Sequence, residues 1–125
     1  MIRVFIVEDD RDLSEIYRTI LERAGMEVET SLDGLDASRR ILAAQSAPDV
    51  VLLDLHLPGQ SGYQVFEQVR ERWPEIKVLV ITADEGMAAA LEAQIVDAHP
   101  VCVLVKPVSI ADLPNVIRKH IAGIA

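Results

Sequence analysis

The run Val50-Val51-Leu52-Leu53 constrains this chain more than any other stretch. Four consecutive large aliphatics leave no polar face, so a strand built from them must be covered on both sides. The middle of a parallel sheet flanked by helices meets that need. Asp54 follows where such a strand reaches its carboxyl end, and Pro58, Gly59 and Gly62 then supply turn residues. In open α/β sheets, ligands bind in the crevice outside the carboxyl ends of the strands. A carboxylate placed there is expected to be half solvated and able to act as nucleophile or metal ligand. A strand or turn cap is the plainer reading, and this stretch alone leaves both open.

The rest of the chain repeats the pattern. Ile2 to Val7 is strand-like, and Leu13, Ile16, Tyr17, Ile20, Leu21 and Ala24 follow at helical spacing until Gly25 stops them. Met26 to Ser31 alternates, with Glu27 and Glu29 opposite Val28, as in a strand half exposed at a sheet edge. Helices are predicted over Leu35–Gln45, Tyr63–Trp73, Glu85–Ala98 and Ser109–Ile121, and buried strands over Lys77–Ile81 and Val101–Val105. Pro114 is awkward in the last helix: either Asp112 caps a late start or the first turn is distorted. Strand and helix thus alternate five times. The pattern predicts an α/β fold, a doubly wound five-stranded parallel sheet with helices on both faces. The polar second strand belongs at an edge, which favours the flavodoxin-like order 2-1-3-4-5.

At 125 residues the chain is expected to be a single domain, residues 1–125, with no effector domain. Aromatics are only 4% of it, so Val, Ile, Leu and Ala must build the core. A net charge of −8 argues against direct nucleic-acid binding, which needs Lys and Arg for phosphates. Cys102 lies in an apolar run and reads as a buried, inert thiol. There is no signal-peptide pattern, and no apolar stretch approaches the ~18 residues that cross a bilayer, so a cytoplasmic, non-membrane protein is expected.

The residues that follow each buried strand form a set. They are Glu8-Asp9-Asp10 after the first, Asp54 at the third, Thr82 after the fourth and Lys106 after the fifth. Parallel strands bring all of them to one end of the sheet. Carboxylate oxygens suit Mg²⁺, which keeps several waters and needs few protein ligands. A hydroxyl and an ammonium suit phosphoryl oxygens, and a carboxylate can serve as nucleophile in aspartyl-phosphate chemistry. Each residue has a duller reading: Asp9 or Asp10 as N-cap, which fits Asp10 better, Thr82 as a strand-ending β-branched residue, and Lys106 as a charge discouraging edge pairing.

Glu8-Asp9, Asp54 within Leu-Leu-Asp-Leu-His-Leu-Pro-Gly-Gln-Ser-Gly, Thr82-Ala83 and Lys106-Pro107 together resemble the receiver domains of two-component response regulators, over essentially the whole chain. The resemblance implies that Asp54 accepts a phosphoryl group from a phosphohistidine on a sensor histidine kinase or phosphotransfer protein. It implies Mg²⁺ held by Asp9, Asp54 and the backbone carbonyl of His56, with Glu8 helping through water. Thr82 and Lys106 would bind phosphoryl oxygens, and the Lys106–Pro107 bond would be cis. Enzymology would be limited to self-phosphorylation and self-dephosphorylation, with a downstream effector as partner and a homodimer as one mode of output. His56 and Asp84, two residues past site residues, occupy positions that resemble the family's tuning points for phosphate lifetime; plain surface-loop residues are the alternative. His120 reads as a partner for the dipole of the last helix.

Two departures stand out. Val103 replaces an aromatic that in many members of the family swings inward, and Asp97-Ala98-His99-Pro100 replaces a common Gly-Ala pair. Val103 supports a rival reading, a degenerate receiver that binds proteins without phosphate. A second rival is a Mg²⁺-dependent aspartyl phosphatase. His56 stands where such enzymes want a second acid, and no cap domain to hold a substrate is expected.

Overall fold

The computed structural model describes residues 1–55, 61–94, 101–106 and 108–122. Strands β1 (Arg3–Val7), β2 (Glu27–Ser31), β3 (Val50–Asp54), β4 (Lys77–Thr82) and β5 (Val101–Val105) alternate with helices α1 (Arg11–Arg23), α2 (Gly34–Ala43), α3 (Gly62–Arg72), α4 (Glu85–Gln94) and α5 (Leu113–Ile121). All strand pairings are parallel, in the order β2-β1-β3-β4-β5. This is the doubly wound sheet that the sequence predicts.

The apolar run works as expected: every residue of β3 is buried. Because side chains alternate along a strand, Val51 and Leu53 join a core with Ala37, Ile41, Phe66 and Val69 of α2 and α3. Val50 and Leu52 face the other way, toward Leu21 of α1 and Leu113 and Ile117 of α5. Glu27 and Glu29 of the edge strand are exposed while Val28 is buried. At the opposite edge β5 is only half-buried over Val101–Leu104, and Cys102 with it. The expected buried thiol is therefore corrected to a half-buried one, because among the described residues β5 is an outer strand, paired only with β4.

Helix starts follow side-chain chemistry. Asp10 accepts from Leu13 N–H, Asp33 from Asp36 N–H, and Ser61 with Gln64 forms a reciprocal capping box. Gly25 ends α1 at φ +87°, a left-handed conformation that glycine adopts without strain. At Pro114 the structure combines both expectations. A 3₁₀ turn over Ile110–Asp112 precedes a late-starting α5, which puts Pro114 in the first turn, where its missing N–H costs nothing. Asp112 sits at the N-cap position but makes no capping hydrogen bond. The predicted end of the fourth helix at Ala98, and Asp97-Ala98-His99-Pro100, lie outside the described residues. Among the described residues no helix is long and apolar enough to cross a membrane.

Candidate functional site

Strand register assembles the site. Val7 pairs with Leu53, which sets Glu8 level with Asp54; Asp54 pairs with Ile81, which sets Thr82 one residue further along β4. Thr82 pairs with Val105, and Lys106 follows. Backbone bonds continue past the strand ends: Glu8 N–H donates to Ser31 O (3.1 Å) and Lys106 N–H to Thr82 O (2.7 Å).

Carboxylate oxygens of Glu8, Asp9 and Asp54 all lie within 4.8 Å of one another. Lys106 Nζ stands 3.1 Å from both Glu8 Oε1 and Asp54 Oδ2. Asp10 N–H donates to Glu8 Oε2 (3.2 Å), while the Asp10 side chain caps α1, as the sequence favours. Asp9 is exposed, but Glu8 is 2% and Asp54 6% exposed. The expectation of a half-solvated Asp54 is thus corrected. It is the last residue of β3, with the Lys106 ammonium on its oxygen.

Gly62 contributes to that enclosure. Its N–H donates to Leu55 O (3.1 Å), and a Cβ there would lie 2.3 Å from Leu55 Cα and 2.5 Å from Asp54 O. Only glycine lets α3 start this close to the end of β3. In the sequence Gly62 reads as a turn residue. The signal for more is a glycine at the first helical position, where better helix formers are available.

The electrostatics follow from crowding acids in a buried place. Burial, then hydrogen bonds to Asp54 and Asp9, push the Glu8 carboxyl up from 4.5 to about 7. Burial pulls the Lys106 ammonium down, but its bonds to Glu8 and Asp54 and their charges outweigh this, and the net shift is upward. A divalent cation fits the donor set: three carboxylates supply hard oxygen ligands, and exposed Asp9 leaves room for water. Thr82 is fully buried, and among the described residues its hydroxyl accepts from Asp84 N–H (3.1 Å) rather than bonding to the acids. His56 and Pro107 lie outside the described residues, and with them the expected carbonyl ligand, the tuning position at His56 and the cis bond. His120 lies in the last turn of α5, as its dipole role requires, and its Nε2 is also 3.0 Å from Val78 O.

A family model described as "Response regulator receiver domain" matches residues 4–118. The chain belongs to the receiver domains of response regulators. FleR of Pseudomonas aeruginosa, a response regulator protein, is 33% identical over 97% of the receiver and 25% of its own length. Response regulator MprA of a Mycobacterium species is 33% identical over 90% of the receiver and 47% of its own length. The receiver thus spans less than half of either relative.

Solved receivers share the fold. One is a CheY-like receiver domain protein from Methanospirillum hungatei (25% identity, TM-score 0.81, covering 98% of this chain and 94% of that one). Another is TrrA from Thermotoga maritima, solved in complex with Mg²⁺ and BeF (25% identity, TM-score 0.80, covering 96% and 99%).

Proposed function

We propose that Asp54 is the phosphoacceptor of a two-component signalling switch. The observation that carries this reading is the convergence of three carboxylates within 4.8 Å of one another and an ammonium at 3.1 Å from two of them, at the carboxyl end of one sheet. An Asp54 oxygen attacks the phosphorus of a phosphohistidine on a sensor kinase or phosphotransfer protein. One O–P bond forms as the N–P bond breaks, and the imidazole leaves with the electron pair. Water later cleaves the acyl phosphate to free Asp54 and inorganic phosphate, so the chemistry stays on this chain's own aspartate. Asp9 and Asp54, with Glu8 through water, would hold Mg²⁺, which supplies charge neutralisation at the transferring group. Lys106 directs its ammonium at the phosphoryl oxygens, and Thr82 donates its hydroxyl to them. The reading places the domain in the cytoplasm, with an effector, or a second copy of the chain, as the partner that responds.

Acetyl phosphate with Mg²⁺ tests it. The parent chain should gain one phosphoryl group by intact mass, and Asp54→Asn should gain none. A stable phosphoryl adduct on the Asp54→Asn variant would overturn the assignment. Val103 keeps one rival in view, a receiver that binds its partner without phosphate: it packs half-buried against the α2–α3 core and has no ring to swing. Beryllofluoride separates the two, because amide NMR shifts beyond the site with Mg²⁺ present require a switch.

A further inference from the structure

Glu8 stands one residue beyond the end of β1, and its N–H donates to Ser31 O (3.1 Å), the last rung between β1 and β2. Among the described residues β2 pairs with β1 alone, and the end of such an outer strand is where a sheet opens first. How firmly Glu8 is held thus depends on what holds Ser31. Ser31 is 2% exposed, and its hydroxyl lies 2.6 Å from Asp36 Oδ2, in the first turn of α2, and 3.1 Å from Asp33 O. The single hydroxyl hydrogen goes to the carboxylate, the stronger acceptor at the shorter distance. Asp36 is itself fixed twice: its N–H donates to Asp33 Oδ1 (2.7 Å), and its carboxylate pairs with Arg40 Nη1 (3.6 Å). Arg40 also donates to Thr30 O and pairs with Glu29 (3.5 Å). Polar groups of α2 therefore grip the last three residues of β2.

Three bonds hold Glu8. Its N–H goes to Ser31 O, its Oε2 accepts from Asp10 N–H (3.2 Å), and its Oε1 accepts from Lys106 Nζ (3.1 Å). Of these, only the first comes from outside the site. We infer that Ser31 is a positioning residue for the acidic site. Its hydroxyl, tied to Asp36, fixes the carbonyl that holds Glu8, and with it the geometry in which Glu8, Asp9 and Asp54 meet a divalent cation. The consequence for Mg²⁺ rests on the phosphoacceptor reading of the site; the hydrogen bonds do not. A hydroxyl that only locked the turn into α2 would add stability and leave metal binding unchanged.

The test uses the whole chain. Ser31→Ala removes the hydroxyl, and Ser31→Thr keeps it on a residue that strands accept. The first readout is amide hydrogen exchange in the metal-free protein. Glu8 N–H should exchange about tenfold faster in Ser31→Ala, while Leu52 N–H on β3 keeps the parent's rate. The second is a Mg²⁺ titration followed by amide NMR shifts, with no phosphoryl donor present. Direct partners of metal-ligating carboxylates are worth roughly 10- to 100-fold in affinity, and Ser31 acts one bond further out, so Ser31→Ala should raise the dissociation constant about fivefold. Ser31→Thr should restore both values. Asp36→Ala should weaken Mg²⁺ binding in the same sense and add nothing once Ser31 is alanine; it also carries the test should Ser31→Ala not fold. Unaltered exchange at Glu8 in Ser31→Ala overturns the proposal, as do additive losses from the two substitutions. Quickened exchange at an unchanged Mg²⁺ affinity marks a turn lock alone and overturns it too. If the parent binds no Mg²⁺, the phosphoacceptor reading falls, and exchange at Glu8 still decides whether Ser31 holds it.

Discussion

In β3 all five residues are buried, whereas in β5 four are half-buried and Val105 is exposed. The helices differ in the same way. α1, α2 and α3 start on side-chain caps from Asp10, Asp33 and Ser61. The start of α4 is tied to the site itself: Asp84 N–H donates to Thr82 Oγ1, and Asp84 O accepts from Ala88 N–H. The acids thus sit on the well-packed half of the sheet, which fixes their geometry. Thr82, at the end of β4, accepts from the residue just before α4, the helix on the lighter half.

The largest effect that would sharpen this contrast is expected at Gly62. Gly62→Ala forces a Cβ onto the backbone of Asp54 and Leu55. It should cost about 3 kcal/mol of stability by urea unfolding, an overpacked site against rigid backbone. A variant as stable as the parent would show that the end of β3 is softer than its burial suggests. Next come paired truncations. Leu53→Ala, at a fully buried position, should cost about 3 kcal/mol, and Val103→Ala, half-buried on β5, about 1 kcal/mol or less. Equal costs in the two strands would erase the distinction between the halves.

Smallest is a pH effect. The Glu8 carboxyl is raised from 4.5 to about 7, so the native state binds its proton more tightly than the unfolded chain does. Its contribution to stability is full below pH 4.5 and lost as pH rises through about 7. The metal-free protein should therefore lose thermal stability across that window. Saturating Mg²⁺ should cancel the loss by taking the proton's place, and Glu8→Gln should flatten it. A midpoint that instead rises across this window in the metal-free parent would show that burial and its neighbours do not hold Glu8 protonated.

Much of the fold is legible in the sequence itself. Val50–Asp54 announced a central strand, because an all-apolar run allows no solvent face, and the Glu27–Val28–Glu29 alternation announced an edge. Asp10 read as a cap because an aspartate just before a helical pattern has few better uses. What stayed hidden depends on groups distant in sequence. Asp54 is buried beneath an ammonium 52 residues away, and no local pattern carries that. His120 reaches Val78 O, 42 residues distant, and Cys102 is half-covered because β5 is the last strand of the sheet among the described residues.

Borohydride trapping after acetyl phosphate treatment tests the central claim most directly. Reduction converts an aspartyl phosphate to homoserine, and peptide mass mapping then locates it. The conversion should occur at position 54 alone and should vanish when Mg²⁺ is chelated. Homoserine at position 9 or 10, or none in a chain that has taken up phosphate, would contradict Asp54 as the residue that carries the phosphoryl group.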